Sequence, residues 1–352
     1  MIETLAAHRA PVVEALGRID RDHGEPLSRI NGWGGDLRRR ILDFAGSGKV
    51  IRGSLVAATA QAFGVNGEQA VYTVAASLEL IQSFLLIHDD IMDEDPVRRG
   101  MPAVYEQYRR YASENGYRDP DRFGESMAIC GGDVAALVAV SAIGATPLSA
   151  QTRVRLMKLL TDEIAKVGVA QMADVANGHS PHAASEEEIL SVYRYKTGRY
   201  TFSLPLMLGA ILAGADEATV DALCRWGELE GIVFQIRDDQ LGVMEETTEI
   251  GKPAGSDVTA NKQTLHRLYL FERLADTRWA DVAGYFGHEH LSENQIGRVR
   301  EALRETGTIA TLEELVARLR GEAAAVLDSI VLPESARETF AAIDAYNATR
   351  SR

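Results

Sequence analysis

The sequence predicts an all-α protein, a single domain built as a bundle of more than ten helices. Three observations lead there. Almost every long window spaces its apolar residues as a helix does, and none gives sustained alternation of apolar and polar residues. Proline is scarce, 10 in 352 residues, and aromatics make up 7%, while Ala, Leu and Glu abound. No Ser/Gly linker, low-complexity tract or repeat of fixed period divides the chain.

In order, the helical windows fall near 2–20, 26–45, 50–64, 67–93, 102–116, 123–145, 150–178, 186–195, 197–214, 217–242, 256–275, 279–286, 293–306, 311–328 and 334–348. The window 50–64 opens after Gly48-Lys49. The window 67–93 carries an apolar run from Ile81 to Ile87, broken only by Gln82 and Ser83. It ends near Asp95, because Pro96 disfavours helical geometry at the residue before it. The window 123–145 is rich in small residues. Tyr195-Lys196-Thr197-Gly198 is read as a break between two helices, and Glu245 to Ser256 as the most irregular loop.

Composition narrows the function. The 46% hydrophobic content suffices for a large core. A net charge of -14 argues against nucleic acid, which wants a basic footprint. Cys130 and Cys224 stand alone, with no C-x-x-C, and read as reduced, buried thiols of a cytosolic, hence cytoplasmic, protein. Met1 to Gly17 has early charges and no long apolar core, so no signal peptide is expected. The most apolar windows, Ala128 to Leu148 and Thr201 to Ala215, hold Asp133 and Pro205, and no membrane span is expected from either.

The chemistry concentrates where the window 67–93 ends. Five acids, Asp89, Asp90, Asp93, Glu94 and Asp95, follow the apolar run. Asp89 and Asp93 are four apart and share a helix face. They sit at the negative end of the helix dipole, where further negative charge is unfavourable. Acid runs are usually solvated helix ends, but acids capping so apolar a helix point to a bound cation. Arg98 and Arg99 follow, as if an anion also had to be held. A second apolar helix, Gly231 to Arg237, delivers Asp238 and Asp239 in the same way. Paired carboxylate clusters with room for water and phosphate suit Mg2+. Lys49 and Arg52 share a face at a helix N-terminus, a place that favours anions. This is no phosphate-binding P-loop, because Asp43 and Val50 stand at two of its required positions. Lys196 stands in the break between two helices, and Lys252 and Lys262 follow the second acidic pair, each unremarkable alone.

Together these marks resemble the trans-isoprenyl diphosphate synthases, or polyprenyl synthetases, over nearly the whole chain. Asp89-Asp90-Ile91-Met92-Asp93 followed by Arg98-Arg99-Gly100 matches the family's first aspartate-rich motif. Phe234-Gln235-Ile236-Arg237-Asp238-Asp239 matches the start of the second. Gly48-Lys49-x-x-Arg52, Gly132-Asp133, Gln171-x-x-Asp174, Lys196-Thr197-Gly198 and Gly251-Lys252-Pro253-x-Gly255-Ser256-Asp257 also match, in the family's order. The chain departs from the pattern at Gly242, in place of a third aspartate, at Val50, in place of a frequent Arg, and at Gly53, in place of a frequent Pro.

The resemblance implies helices around a central cavity and a homodimer, with the windows 102–116 and 123–145 as interface candidates. It implies joining of isopentenyl diphosphate to an allylic diphosphate: dimethylallyl, geranyl or farnesyl. Asp89, Asp93 and Asp238, supported by Asp90 and Asp239, would hold Mg2+, three ions in the family's manner, with the allylic diphosphate. Arg98, Lys196 and Lys252 would contact that diphosphate, and Lys262 would also bind substrate. Thr197 and Gln235 would face an allylic cation in a dry cavity. Lys49, Arg52, Gln82 and Arg99 would hold isopentenyl diphosphate, and the released diphosphate would take the final proton. No Ser, Cys or His nucleophile is needed. His88 reads as an orienting or packing residue.

Product length would be set by Phe84, five residues before Asp89 and about 7.5 Å deeper at 1.5 Å per residue. By the helix wheel alone, Leu85 is the nearer wall. In the family, an aromatic at the Phe84 position resembles a floor, and a second aromatic at the Leu85 position goes with the shorter farnesyl product. The first motif also lacks the two-residue insertion of bacterial farnesyl synthases. These features point to geranylgeranyl diphosphate, with farnesyl diphosphate second. Three other classes compete. A terpene cyclase would carry a different second motif, a non-catalytic partner subunit of a heteromeric synthase would lose one motif, and a helical scaffold would ignore Mg2+ and diphosphate.

Overall fold

The computed structural model describes residues 3–244, 255–275, 277–288 and 290–349. Lys252 and most of the irregular loop lie outside them. In chain order the α-helices are α1 (Glu3–Ile19), α2 (Gly32–Gly46), α3 (Ile51–Ala62), α4 (Gln69–Met92), α5 (Val104–Glu114), α6 (Pro120–Gly144), α7 (Ala150–His179) and α8 (Glu186–Val192). They continue as α9 (Leu204–Leu212), α10 (Glu217–Met244), α11 (Ser256–Thr259), α12 (Leu265–Leu274), α13 (Glu293–Glu305), α14 (Thr308–Asp328) and α15 (Glu334–Thr349). The all-α expectation holds.

The chain divides into two compact units. The first comprises residues 1–161, 205–220 and 333–339, and the second the remainder. In the first unit, α3 is buried almost all round, from Gly53 to Ala60, because its side chains are small enough for neighbours to close in. Gly209 of α9 meets α3 so closely that a Cβ there would lie 2.6 Å from the Val56 carbonyl. Helix α4 runs 24 residues, with Leu78, Ile81 and Ile87 at 2% exposure or less. Truncating such a residue to Ala costs about 2–5 kcal/mol. Helix α6 packs along α4 and α5. Its buried stripe, Ala128, Gly132, Ala135, Ala139 and Ala142, follows helical spacing and keeps the two backbones close. Asp119 caps this helix by accepting from the Arg122 N–H, and Pro120 follows at its first turn.

The second unit gathers Ile189, Tyr193, Ile232, Ile236, Leu265, Leu312 and Leu319 into one core, and Val258, Leu270, Trp279, Val299 and Leu303 into another. Ser185 with Glu188 on α8, and Ser292 with Gln295 on α13, form reciprocal capping boxes.

Several expectations are corrected. Cys130, expected to be buried, is exposed on α6, and Cys224 is only half-buried. Tyr195 to Gly198 does not break the helix. Tyr193–Ser203 continues from α8 as a π-helical stretch of 11 residues. The window 256–275 is split into α11 and α12, with Asn261 at positive φ between them. The window 279–286 is a 3-10 turn, Ala280–Tyr285. Among the described residues there is one short antiparallel hairpin, Val97–Arg98 with Met101–Pro102. Its two-residue loop is Arg99-Gly100, at φ 55 and 75, the mirror-image turn that matches strand twist. Strands of two residues are too short to leave an alternating pattern. Among the described residues, α4 and α6 are long and apolar enough to cross a membrane by length and composition. The protein itself buries 72% of the apolar window of α4 and 39% of that of α6. Asp133 therefore does not exclude α6 on composition.

Candidate active site

In the first unit the site is built on the end of α4. The Asp93 N–H donates to the Asp89 carbonyl and closes the last turn. The hairpin then returns Arg98 to the helix end. Its Nε donates to Asp90 Oδ1 at 2.6 Å, and its Nη2 lies 3.7 Å from Asp89 Oδ2 and 3.4 Å from Asp95 Oδ2. Asp90 is fully buried, and its other oxygen has no partner. Burial pushes its carboxyl up to about 6, against the pull of Arg98 and with the push of Asp89 and Asp95. Asp93 is exposed and Asp89 partly so.

Arg99 turns the other way. Its Nη1 donates to the Phe44 carbonyl at 3.1 Å and to Ser47 Oγ at 3.4 Å, and a Cβ at Gly48 would lie 2.6 Å from that nitrogen. The hairpin thus delivers Arg99 to the loop carrying Gly48 and Lys49. Burial lowers the Arg99 pKa, Glu79 draws it back, and Arg52 and Arg98 lower it further. The sequence-predicted residues Arg52, Arg98 and Arg99 therefore form one cationic cluster, with exposed Lys49 at its margin. Gln82 is buried one turn from Glu79, and its Oε1 lacks a partner.

Glu79, which motif reading missed, lies against this cluster. It is 4% exposed, and its Oε1 accepts from the Gly53 N–H at 2.7 Å. Val50, the residue before α3, sits in the left-handed region at φ 54 and gives no side-chain cap. The α3 N-terminus is capped instead by a carboxylate from α4. The sequence signal is a lone acid inside an apolar run, Leu78-Glu79-Leu80. Burial raises the Glu79 pKa, while the Gly53 N–H, Arg52 and Arg99 act against that rise.

In the second unit the π-helical stretch carries Lys196 and Thr197. Lys196 Nζ donates to Asp174 Oδ2 at 2.6 Å, which joins two of the matched motifs. Thr197 Oγ1 donates to Gln235 Oε1 at 2.8 Å, and Gln235 Nε2 donates to Asp239 Oδ1 at 2.7 Å. The Tyr193 hydroxyl donates to Asp239 Oδ2 and accepts from the Leu265 N–H at 3.2 Å. Asp239 is thereby fixed on both oxygens and 1% exposed, while Asp238 is exposed. Burial pushes the Asp239 carboxyl up, and Lys262 opposes it. Lys262 Nζ lies 3.8 Å from Asp239 and 3.9 Å from Asp257. Desolvation would lower its pKa, but Asp239, Asp257, Asp174 and Asp238 hold it above the usual lysine value. Tyr193 is a second residue that sequence reasoning missed.

Gly231 explains how α10 approaches. A Cβ there would lie 2.0 Å from the Gly198 Cα, so only glycine admits the contact. At Gly242 a Cβ would lie 2.9 Å from Asp257 Oδ2. Asp257 fills the space beside the position where relatives carry a third aspartate.

Among the described residues no three His, Cys, Asp or Glu side chains converge as a ready-made metal cage. The donors at the two helix ends are carboxylate oxygens, with Asp93 and Asp238 exposed. Each helix end by itself offers hard oxygen donors of the kind that suit a small dication which keeps several waters and takes phosphate oxygens, as Mg2+ does.

The family described as Polyprenyl synthetase matches residues 39–303. A short chain isoprenyl diphosphate synthase of Methanothermobacter thermautotrophicus is 34% identical over 229 residues, 65% of this chain and 65% of that relative's length. A geranylfarnesyl diphosphate synthase of Natronomonas pharaonis is 32% identical over 268 residues, 76% of this chain and 71% of the other. Among solved structures, a geranylgeranyl pyrophosphate synthase of Corynebacterium glutamicum, complexed with isoprenyl diphosphate and magnesium, matches with a TM-score of 0.89. It is 29% identical, and the match covers 99% of both chains.

Proposed function

Because the chain belongs to the polyprenyl synthetase family and is a trans-prenyltransferase, we propose that it condenses isopentenyl diphosphate with allylic diphosphates to give geranylgeranyl diphosphate. The observation that carries this reading is the end of α4. There Asp89, one helical turn before Asp93, stands beside Arg98, while Arg99 reaches the Gly48 loop.

Asp89, Asp93 and Asp238 would hold Mg2+, three ions in all, with Asp90 and Asp239 in support. When bound, the metal supplies charge neutralisation for the departing diphosphate. Arg98, Lys196, Lys252 and Lys262 bind that diphosphate. Lys252 lies outside the described residues and is assigned by motif alone. Asp90 holds Arg98 in place, and Asp174 does the same for Lys196. Thr197 and Gln235 turn oxygen dipoles toward the allylic cation once the carbon–oxygen bond breaks. Lys49, Arg52, Gln82 and Arg99 orient isopentenyl diphosphate so that its double bond meets the cation. The released diphosphate accepts the proton lost when the new double bond forms. Phe84, with Leu85 beside it, ends the channel for the growing chain.

We also propose that the enzyme works as one domain and as a homodimer in the cytoplasm. The interleaved course of the chain between its two units supports the first. For the dimer, α6 exposes Ile129 at 38% and Leu137 at 71%. Light scattering that returns a monomer at micromolar concentration refutes the dimer.

The test of function is incubation with isopentenyl diphosphate, Mg2+ and each allylic starter, read by product chain length. The expected product is geranylgeranyl diphosphate from dimethylallyl, geranyl and farnesyl starters alike. No condensation with any starter refutes the reading.

A further inference from the structure

His88 and Gly132 form a constellation that the two aspartate motifs leave without a task. Leu80, Phe84 and His88 are four apart on α4 and lie along one face. Opposite them on α6, Gly132 has no side chain. A Cβ there would lie 2.6 Å from His88 Nε2 and 2.7 Å from its Cδ2, with Phe84 Cδ2 at 3.5 Å. The imidazole is therefore seated in the notch that glycine leaves. Its Nε2 lies 3.2 Å from the Ile129 carbonyl. A carbonyl only accepts, so that nitrogen carries the proton and donates. Asp133 Oδ1 stands 3.6 Å from the same nitrogen. Anchored this way, the ring meets Phe84 edge to face, with centroids 4.8 Å apart at 68°. One turn deeper lies an apolar cavity of about 40 Å³, lined by Leu80, Val134, Ala135 and Val138 with Leu37 and Ile41 of α2.

We propose that His88, seated by Gly132, is a positioning residue that braces the Phe84 ring and so determines product chain length. This rests on the reading of Phe84 as the floor of the product channel. An edge-to-face pair favours one ring placement over the other staggered rotamers. Without the brace the ring swings aside for part of the time, the channel opens toward the cavity below, and some chains gain an isoprene unit.

The test compares product lengths from farnesyl diphosphate, isopentenyl diphosphate and Mg2+ by mass spectrometry of the full chain. His88→Ala should raise several-fold the ratio of the next longer product to the parent product. Gly132→Ala, whose methyl evicts the imidazole, should do the same, and it serves if the first variant does not fold. In a Phe84→Ala background, His88→Ala should change nothing further, because its effect passes through Phe84. If Phe84→Ala lengthens the product while folded His88→Ala and Gly132→Ala keep the parent distribution, the brace is refuted. It is also refuted if His88→Ala lengthens the product equally in the Phe84→Ala background. If Phe84→Ala leaves product length unchanged, the floor itself is wrong, and the brace falls with it.

Discussion

Replacing Glu79 with Ala tests whether a carboxylate from α4 holds the start of α3. The variant leaves the Gly53 N–H, bonded at 2.7 Å in the parent, buried without an acceptor. That loss costs about 1–3 kcal/mol. It also removes the anion at the α3 N-terminus, about 0.3–1 kcal/mol and up to ~2 in a partly buried setting. Relief of the carboxylate's desolvation, the same burial that raises its pKa, works the other way. The net expectation is a loss of about 2 kcal/mol. At roughly 2–4 °C per kcal/mol for a large domain, the melting temperature should fall by about 4–8 °C. Glu79→Gln keeps a neutral acceptor and should lose about half as much. Lys49 and Arg52 flank the start of α3, so KM for isopentenyl diphosphate should rise more than kcat falls. Differential scanning fluorimetry and steady-state kinetics read both. A melting temperature within about 1 °C of the parent, with KM unchanged, refutes the cap.

Three further outcomes are expected. Asp89→Ala or Asp238→Ala should lower turnover by orders of magnitude while the fold persists, since removing one of several like charges relieves repulsion; near-parent turnover at saturating Mg2+ would contradict the assigned ligands. Gly242→Asp should lower the melting temperature without raising turnover, because the new side chain starts 2.9 Å from Asp257 Oδ2; a gain in turnover would mean that the third aspartate is missed in this chain. Burial lowers the His266 pKa to about 3, and neither ring nitrogen has a hydrogen-bond partner. The unfolded chain therefore takes up a proton below about 6.5 that the folded one refuses, so stability falls by about 1.4 kcal/mol per pH unit on acidification. His266→Leu should flatten that loss in urea unfolding between pH 7 and pH 5, and an unchanged loss would acquit His266.

Helices were legible because apolar spacing survives every local irregularity, and the aspartate clusters because charge at the end of an apolar helix is conspicuous. What stayed hidden depends on partners distant in sequence. Glu79 looks like a stray acid until α3 presents its bare N–H groups. Tyr193 looks like core until its hydroxyl is found on Asp239, 46 residues away. The hairpin at Val97–Pro102 escaped because Arg99-Gly100 lacks the usual Asn-Gly signature. The π-helical stretch escaped because Gly198 reads as a helix breaker, while the wider turn carries the chain through it without a break. Gly231 looks like an ordinary helix glycine until the closeness of its backbone to that of Gly198 is seen.

That wide stretch bears on how the chain tolerates insertions and deletions. A π-helix holds more residues per turn than an α-helix, so removing one residue between Tyr193 and Ser203 invites the segment to rewind. Rewinding would let the flanking helices stay near their register but would turn the side chains inside the stretch around the helix axis. Lys196 would leave Asp174, Thr197 would leave Gln235, and a residue with a side chain would be driven into the slot that Gly198 shares with Gly231. Length changes elsewhere can be absorbed in loops. Here reading-frame-preserving deletions should be as damaging as loss of an aspartate, so the segment's length is constrained as tightly as its residues.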